Sequence, residues 1–216
     1  MLKTVIFDID GTLLDTERIY MQAWKKAAEA RGFHIPQIAL LKTRAVNAAV
    51  AKACFQSYCG EDFPYEQLRV ERVDIAEALI ARETPETLLK PHVHSVLQWL
   101  QNQGIRLAAA TSTNYKTTME HLSHAGLAEY FSVIVAGDMV KRGKPEPDIF
   151  LEAAKGAGSK PEECLVVGDS PADVLAAHAA GIPVILIPDQ VPANEQTTAL
   201  SWKVLDDLAE ITKTLG

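Results

Sequence analysis

Thr4-Val5-Ile6-Phe7-Asp8-Ile9-Asp10-Gly11-Thr12 begins as a β-branched and aromatic run and breaks into a polar turn. A short apolar run bounded by a turn signal reads as a buried strand, here Thr4–Ile9, with Asp8 at its tip. Three other clusters lie past predicted strands: Thr111-Ser112-Thr113, Lys144-Pro145 and Gly168-Asp169-Ser170-Pro171-Ala172-Asp173. In an open parallel sheet with helices on both faces, ligands bind outside the carboxyl ends of the strands. The four clusters are therefore expected to meet in one crevice.

The pattern on either side of the first strand differs. From Glu17 to Arg31, Ile19, Tyr20, Ala23, Trp24 and Ala27 recur at helical spacing, and Thr43–Tyr58 and Tyr65–Arg82 repeat the pattern with no strand-like run between them. After Lys90-Pro91, helices His92–Gln103, Tyr115–Ala125, Asp148–Lys155 and Ala172–Ala180 alternate with strands Ile105–Ala110, Ser132–Ala136, Leu165–Gly168 and Val184–Ile187. Such alternation implies a parallel α/β sheet, since right-handed crossovers join parallel strands. Counting Thr4–Ile9, about five core strands are expected in a core of residues 1–15 and 86–216, with a helical domain inserted over 16–85. A final helix near Asp206–Leu215 closes the core.

Composition narrows the partners. The 216 residues are 48% hydrophobic and 23% charged, as in an ordinary globular protein. A net charge of −7 with no Lys/Arg-rich stripe excludes nucleic acid as the expected partner. Neither a signal h-region nor a membrane-length apolar run is found, so a cytoplasmic protein without a membrane partner is expected, as a monomer. Cys54, Cys59 and Cys164 show no CxxC spacing and suit reduced thiols.

The clusters hold the groups needed to move a phosphoryl group. Asp8 is the candidate nucleophile, forming an acyl phosphate that water later cleaves, and Asp10 the candidate acid/base. Gly11 lets the chain bend tightly around a ligand. A carboxylate about 4 Å from each unit of phosphate charge is repelled by about 4 kcal/mol at an effective dielectric near 20, so cations must be close. Asp8, Asp169 and the backbone carbonyl of Asp10 offer hard oxygens suited to Mg²⁺, and Lys144 adds an ammonium. Donors on Thr111, Ser112 and Thr113 can hold the non-bridging oxygens.

Asp8-x-Asp10-Gly11-Thr12, a strand ending in Thr111, Lys144 before Pro145-x-Pro147-Asp148, and Gly168-Asp169-Ser170-x-x-Asp173 together resemble the four motifs of the haloacid dehalogenase superfamily. The resemblance runs from about Met1 to Pro188. It implies a Rossmann-like three-layer core, an aspartyl-phosphate intermediate and Mg²⁺, and it places Asp173 beside the metal ligands and Gly11 and Thr12 in the phosphate loop. The helical insert is similar to the cap of the subfamily containing β-phosphoglucomutase and phosphoglycolate phosphatase, which implies a small phosphorylated metabolite as substrate. Near the first motif the likeness to the mutases is close. Tyr20 replaces their cap histidine, Arg44 is the candidate for their phosphate-gripping arginine, and no counterpart of their cap lysine stands out in Asp74–Arg82. Hydrolysis is therefore the leading expectation, with a sugar phosphomutase and a non-catalytic metabolite sensor as alternatives.

Other features have plainer readings. His121 and His124, at i, i+3, are expected on exposed helix surface, as are His92 and His94 near Pro91, and Gly156-Ala157-Gly158 is a helix stop rather than a nucleotide loop. Tyr20 and Trp24 at i, i+4 are expected to pack the hinge of the inserted domain, with Tyr20 also placed to face a substrate.

Overall fold

Six strands, β1 (Thr4–Phe7), β2 (Arg106–Ala110), β3 (Val133–Val135), β4 (Cys164–Gly168), β5 (Val184–Leu186) and β6 (Lys203–Val204), form one sheet in the order β3-β2-β1-β4-β5-β6. Every pairing is parallel. The computed structural model describes residues 1–43 and 48–216; Arg44 lies outside the described residues. All four β1 residues are buried, as expected of a central strand covered by helices on both faces. The expected strands appear within a residue or two, and β6 joins them. Two exposed residues at a sheet edge leave no periodic trace in a sequence, which is why β6 was not expected.

The chain divides into a unit of Met1–Asp15 with Pro85–Gly216 and a unit of Thr16–Thr84. In the first, helices α6 (Val93–Asn102), α8 (Asp148–Gly156) and α9 (Pro171–Ala179) pack against the sheet. Ile6, Ala108, Phe150, Val166 and Ile182 belong to one buried cluster between these layers. The fold is Rossmann-like. Helix α7 (Tyr115–His124) starts at Asn114, whose side chain accepts from the Thr117 amide at 3.0 Å. His121 is 3% exposed, on the inner face of α7 with Thr118 and Leu122, so the expectation of a surface position fails there. Helices α5 (Pro85–Leu88), α10 (Glu195–Leu200) and α11 (Glu210–Leu215) complete this unit.

The second unit holds α1 (Thr16–Glu29), α2 (Gln37–Lys42), α3 (Ala48–Cys59) and α4 (Tyr65–Ile80). Ile19, Ala23 and Ala27 recur every four residues and bury one stripe of α1, whose small side chains let it pack closely on α4. Trp24, Phe33, Phe55, Phe63 and Tyr65 form an aromatic cluster, with Trp24 and Phe55 ring centroids 4.7 Å apart. Phe55→Ala at its centre should cost about 3–5 kcal/mol. Arg18 clamps Glu83 with two hydrogen bonds of 3.0 and 2.8 Å, tying the start of α1 to the segment after α4. Among the described residues no helix is long and apolar enough to cross a membrane.

Candidate active site

The strand order reverses at β1. Its neighbours are β2 on one side and β4 on the other, so the crevice sits past the carboxyl ends of β1 and β4. The Asp8 amide continues the ladder by donating to the Val167 carbonyl at 2.8 Å, which fixes Asp8 at the strand tip. Gly11 follows at φ 89°, a conformation that glycine adopts freely. A Cβ there would lie 2.5 Å from Asp169 Oδ2, so only glycine lets the turn close on that carboxylate. The Thr12 hydroxyl then donates to Asp169 Oδ1 at 3.1 Å.

Asp173 is placed by a helix cap. Ser170-Pro171-Ala172-Asp173 opens α9 with Pro171 in its first turn, and Asp173 Oδ2 accepts from the Ser170 amide at 3.0 Å. With Oδ2 used in the cap, Oδ1 lies 2.7 Å from Lys144 Nζ, ion-paired but without a well-aligned hydrogen bond. A Cβ on Gly168 would meet Asp173 Cβ at 2.6 Å, so glycine at the end of β4 admits this side chain.

Lys144 holds the site together. Its ammonium donates to Asp8 Oδ1 at 2.5 Å and to the Ala110 carbonyl at 2.9 Å, and stands 5.0 Å from the centre of the Phe150 ring. The side chain is only 4% exposed. Burial alone would lower its pKa, but Asp173 and Asp8 outweigh burial and hold it above the usual lysine range. Burial pushes the Asp8 carboxyl up to about 8; Lys144 opposes this, while Asp173 and Asp10 reinforce it.

Asp8, Asp169 and Asp173 are all buried and present carboxylate oxygens within 4.8 Å of one another. Three carboxylates facing one ammonium leave surplus negative charge when all are ionised, and the Asp173 charge adds to burial in raising the Asp8 pKa. A hard divalent cation would balance it, so the residues fit such an ion. The Asp10 side chain is not in this group: its Oδ2 accepts from the hydroxyls of Thr113 at 2.8 Å and Thr111 at 3.3 Å. Ser112 is exposed at the mouth of the same loop.

Tyr20 and Trp24 belong to the unit of α1–α4. Trp24 sits in the aromatic cluster and Tyr20 is half-buried. Arg72 was not foreseen. Its guanidinium lies 5.0 Å from the centre of the Trp24 ring, and its Nε is buried without a hydrogen-bond partner among the described residues. The available signal was its place in the i, i+4 row Leu68-Arg72-Ala76-Ile80, a cation inside an otherwise buried apolar stripe.

Fold and site together define a Rossmann-like α/β protein with a buried acidic centre at the sheet's switch point, whose carboxylates could hold a metal ion. The chain belongs to the haloacid dehalogenase-like hydrolase family, which it matches over residues 2–181. A phosphorylated carbohydrates phosphatase of Thermotoga maritima is 35% identical over 189 residues, 84% of this chain and 82% of that one. Hexitol phosphatase A of Escherichia coli is 34% identical over 213 residues, 98% and 94% of the two chains. The crystal structure of CbbY from Rhodobacter sphaeroides in complex with phosphate superposes with a TM-score of 0.79 at 28% identity, covering 98% of this chain and 96% of that one.

Proposed function

We propose that the protein is a Mg²⁺-dependent phosphatase that hydrolyses a small phosphorylated metabolite, a sugar phosphate or a phosphoglycolate-like ester, through an aspartyl phosphate on Asp8. The supporting observation is the buried contact of Lys144 with both Asp8 and Asp173 beside Asp169. A nucleophilic carboxylate can approach a phosphate dianion only where positive charge is already fixed, and Lys144 supplies one such charge. Asp8 and Asp169, with Asp173 beside them, would hold the ion, which supplies Lewis-acid charge neutralisation at the transferred group.

Asp8 attacks phosphorus as the ester bond breaks, and Asp10 gives its proton to the departing alkoxide. Asp10 then takes a proton from the water that cleaves the acyl phosphate, which restores Asp8 and releases inorganic phosphate. The Thr111 and Thr113 amides are taken by the Val135 carbonyl and by Thr111 Oγ1, so the exposed Ser112, through its amide and hydroxyl, is the donor left in this loop for the non-bridging oxygens. The inserted helical unit is the cap, and we assign substrate recognition in it to Arg72, a planar, half-buried guanidinium without an ion pair among the described residues. A panel of phosphorylated metabolites assayed for phosphate release with Mg²⁺ tests this reading; inertness toward every ester would overturn it.

Arg72 also supports a second reading, a sugar phosphomutase, because a mutase must grip one phosphate in the cap while the sugar turns. The two part on a hexose 1-phosphate, which a mutase converts to the 6-phosphate and a phosphatase only strips of phosphate.

A further inference from the structure

We infer that Thr113 is a positioning residue that fixes the orientation of Asp10, and that the turn after β3 braces it there; this rests on the reading of Asp10 as the acid/base. Sequence places Thr113 among the phosphate donors. In the structure its hydroxyl is spent on Asp10 Oδ2 at 2.8 Å, and the Thr113 amide donates to Thr111 Oγ1 at 3.1 Å, which aligns the second hydroxyl on the same oxygen. The terminal torsion of an aspartate is broad and roughly two-fold, so an unrestrained carboxyl presents either oxygen to the substrate. Two donors on Oδ2 remove that freedom. A general acid works only within hydrogen-bond reach of the oxygen it protonates, so fixing the plane of Asp10 raises the fraction of encounters that transfer a proton.

The brace comes from the segment after β3. Gly137 donates its amide to the Thr113 carbonyl at 2.9 Å. A Cβ on Gly137 would collide with the Ser112 carbonyl oxygen, so only glycine lets the two loops lie this close. Next to it, Asp138 Oδ1 accepts from the Tyr115 amide at 2.9 Å, in the first turn of α7. The Thr113 backbone cannot move away from Asp10 without breaking this hold. Its own proton stays in place during turnover, since the proton that reaches the alkoxide comes from Asp10.

The test compares Thr113→Val, Thr113→Ser, Gly137→Ala and, as reference, Asp10→Asn on two esters. p-Nitrophenyl phosphate has a leaving group that needs no proton; the second ester is a sugar phosphate hydrolysed by the wild type. Thr113→Val should lower kcat/KM for the sugar phosphate at least about tenfold more than for p-nitrophenyl phosphate, and Gly137→Ala should act in the same sense. Thr113→Ser should restore the sugar-phosphate rate to within about threefold, and the inhibition constant of inorganic phosphate should move by less than about threefold in Thr113→Val. Equal losses on both esters, or a tenfold weaker phosphate inhibition, would show that Thr113 grips phosphate and overturn the inference. An Asp10→Asn enzyme with no leaving-group dependence would instead remove the acid/base reading, and the inference with it.

Discussion

One cation in each of the two compact units is held in an opposite way. In the core, Lys144 is pinned between Asp8 and Asp173, Asp10 is held by two hydroxyls, and Asp169 is held by Thr12. In the helical unit, Arg72 lies on Trp24 with its Nε unpartnered. A site whose groups are locked by neighbours suits chemistry, which needs fixed geometry at every turnover. A guanidinium whose Nε has no hydrogen-bond partner among the described residues suits recognition, because it still has a donor to offer a ligand.

The largest effect should come from Asp8→Asn, which keeps shape and removes the nucleophile. Phosphate release should fall by at least about 10⁴-fold while thermal stability is kept, since asparagine keeps the volume and polarity of a carboxyl that burial already holds largely protonated. Lys144→Met sharpens the contrast between the units. It strands Asp8 and Asp173 without their ammonium and should cost about 3–5 kcal/mol in urea unfolding, whereas Arg72→Met, losing only its seat on Trp24, should cost about 1 kcal/mol or less. Arg72→Ala should raise KM for a sugar phosphate about tenfold while lowering kcat less, and an equal loss in both would break the assignment of recognition to this unit.

A pH effect follows from the Asp8 carboxyl at about 8. Its folded pKa lies above the ordinary carboxylate value, so its protonated form adds stability that is lost as pH rises through about 8 in the absence of metal. A bound cation requires the ionised form. The rise in unfolding temperature on adding Mg²⁺ should therefore be larger near pH 9 than near pH 6.5, and calorimetry at the lower pH should detect proton release on binding. The smallest effect lies away from the site. His92 has φ 65° at the start of α6, and His92→Gly should stabilise the protein by about 0.5–1 kcal/mol in the same urea assay.

What could be read from sequence was local. The β1 run and its Asp8-x-Asp10-Gly11 turn, the strand before Thr111 and the Ser170-Pro171 helix start are each specified by adjacent residues, and each appears where expected. The groups that escaped depend on distant partners. Nothing near Thr113 announces that its hydroxyl will turn to Asp10 rather than to phosphate, because the hold on it comes from Gly137. Arg72 lies just before the Asp74–Arg82 stretch, and only its seat on Trp24, from another helix, sets it apart from a surface arginine. His121 was misplaced because two histidines one turn apart do not reveal which face of α7 meets the core.

The central place of β1 bears on how the polypeptide is made. Thr4 pairs with Arg106 on one side and Cys164 on the other, so β1 leaves the ribosome before either neighbour and waits for both while the whole inserted unit is synthesised. Until then its apolar edges are open to other chains. The inserted helices, whose contacts are local, can settle during that interval, and a nascent chain stalled before Arg106 should carry a folded helical unit and no sheet.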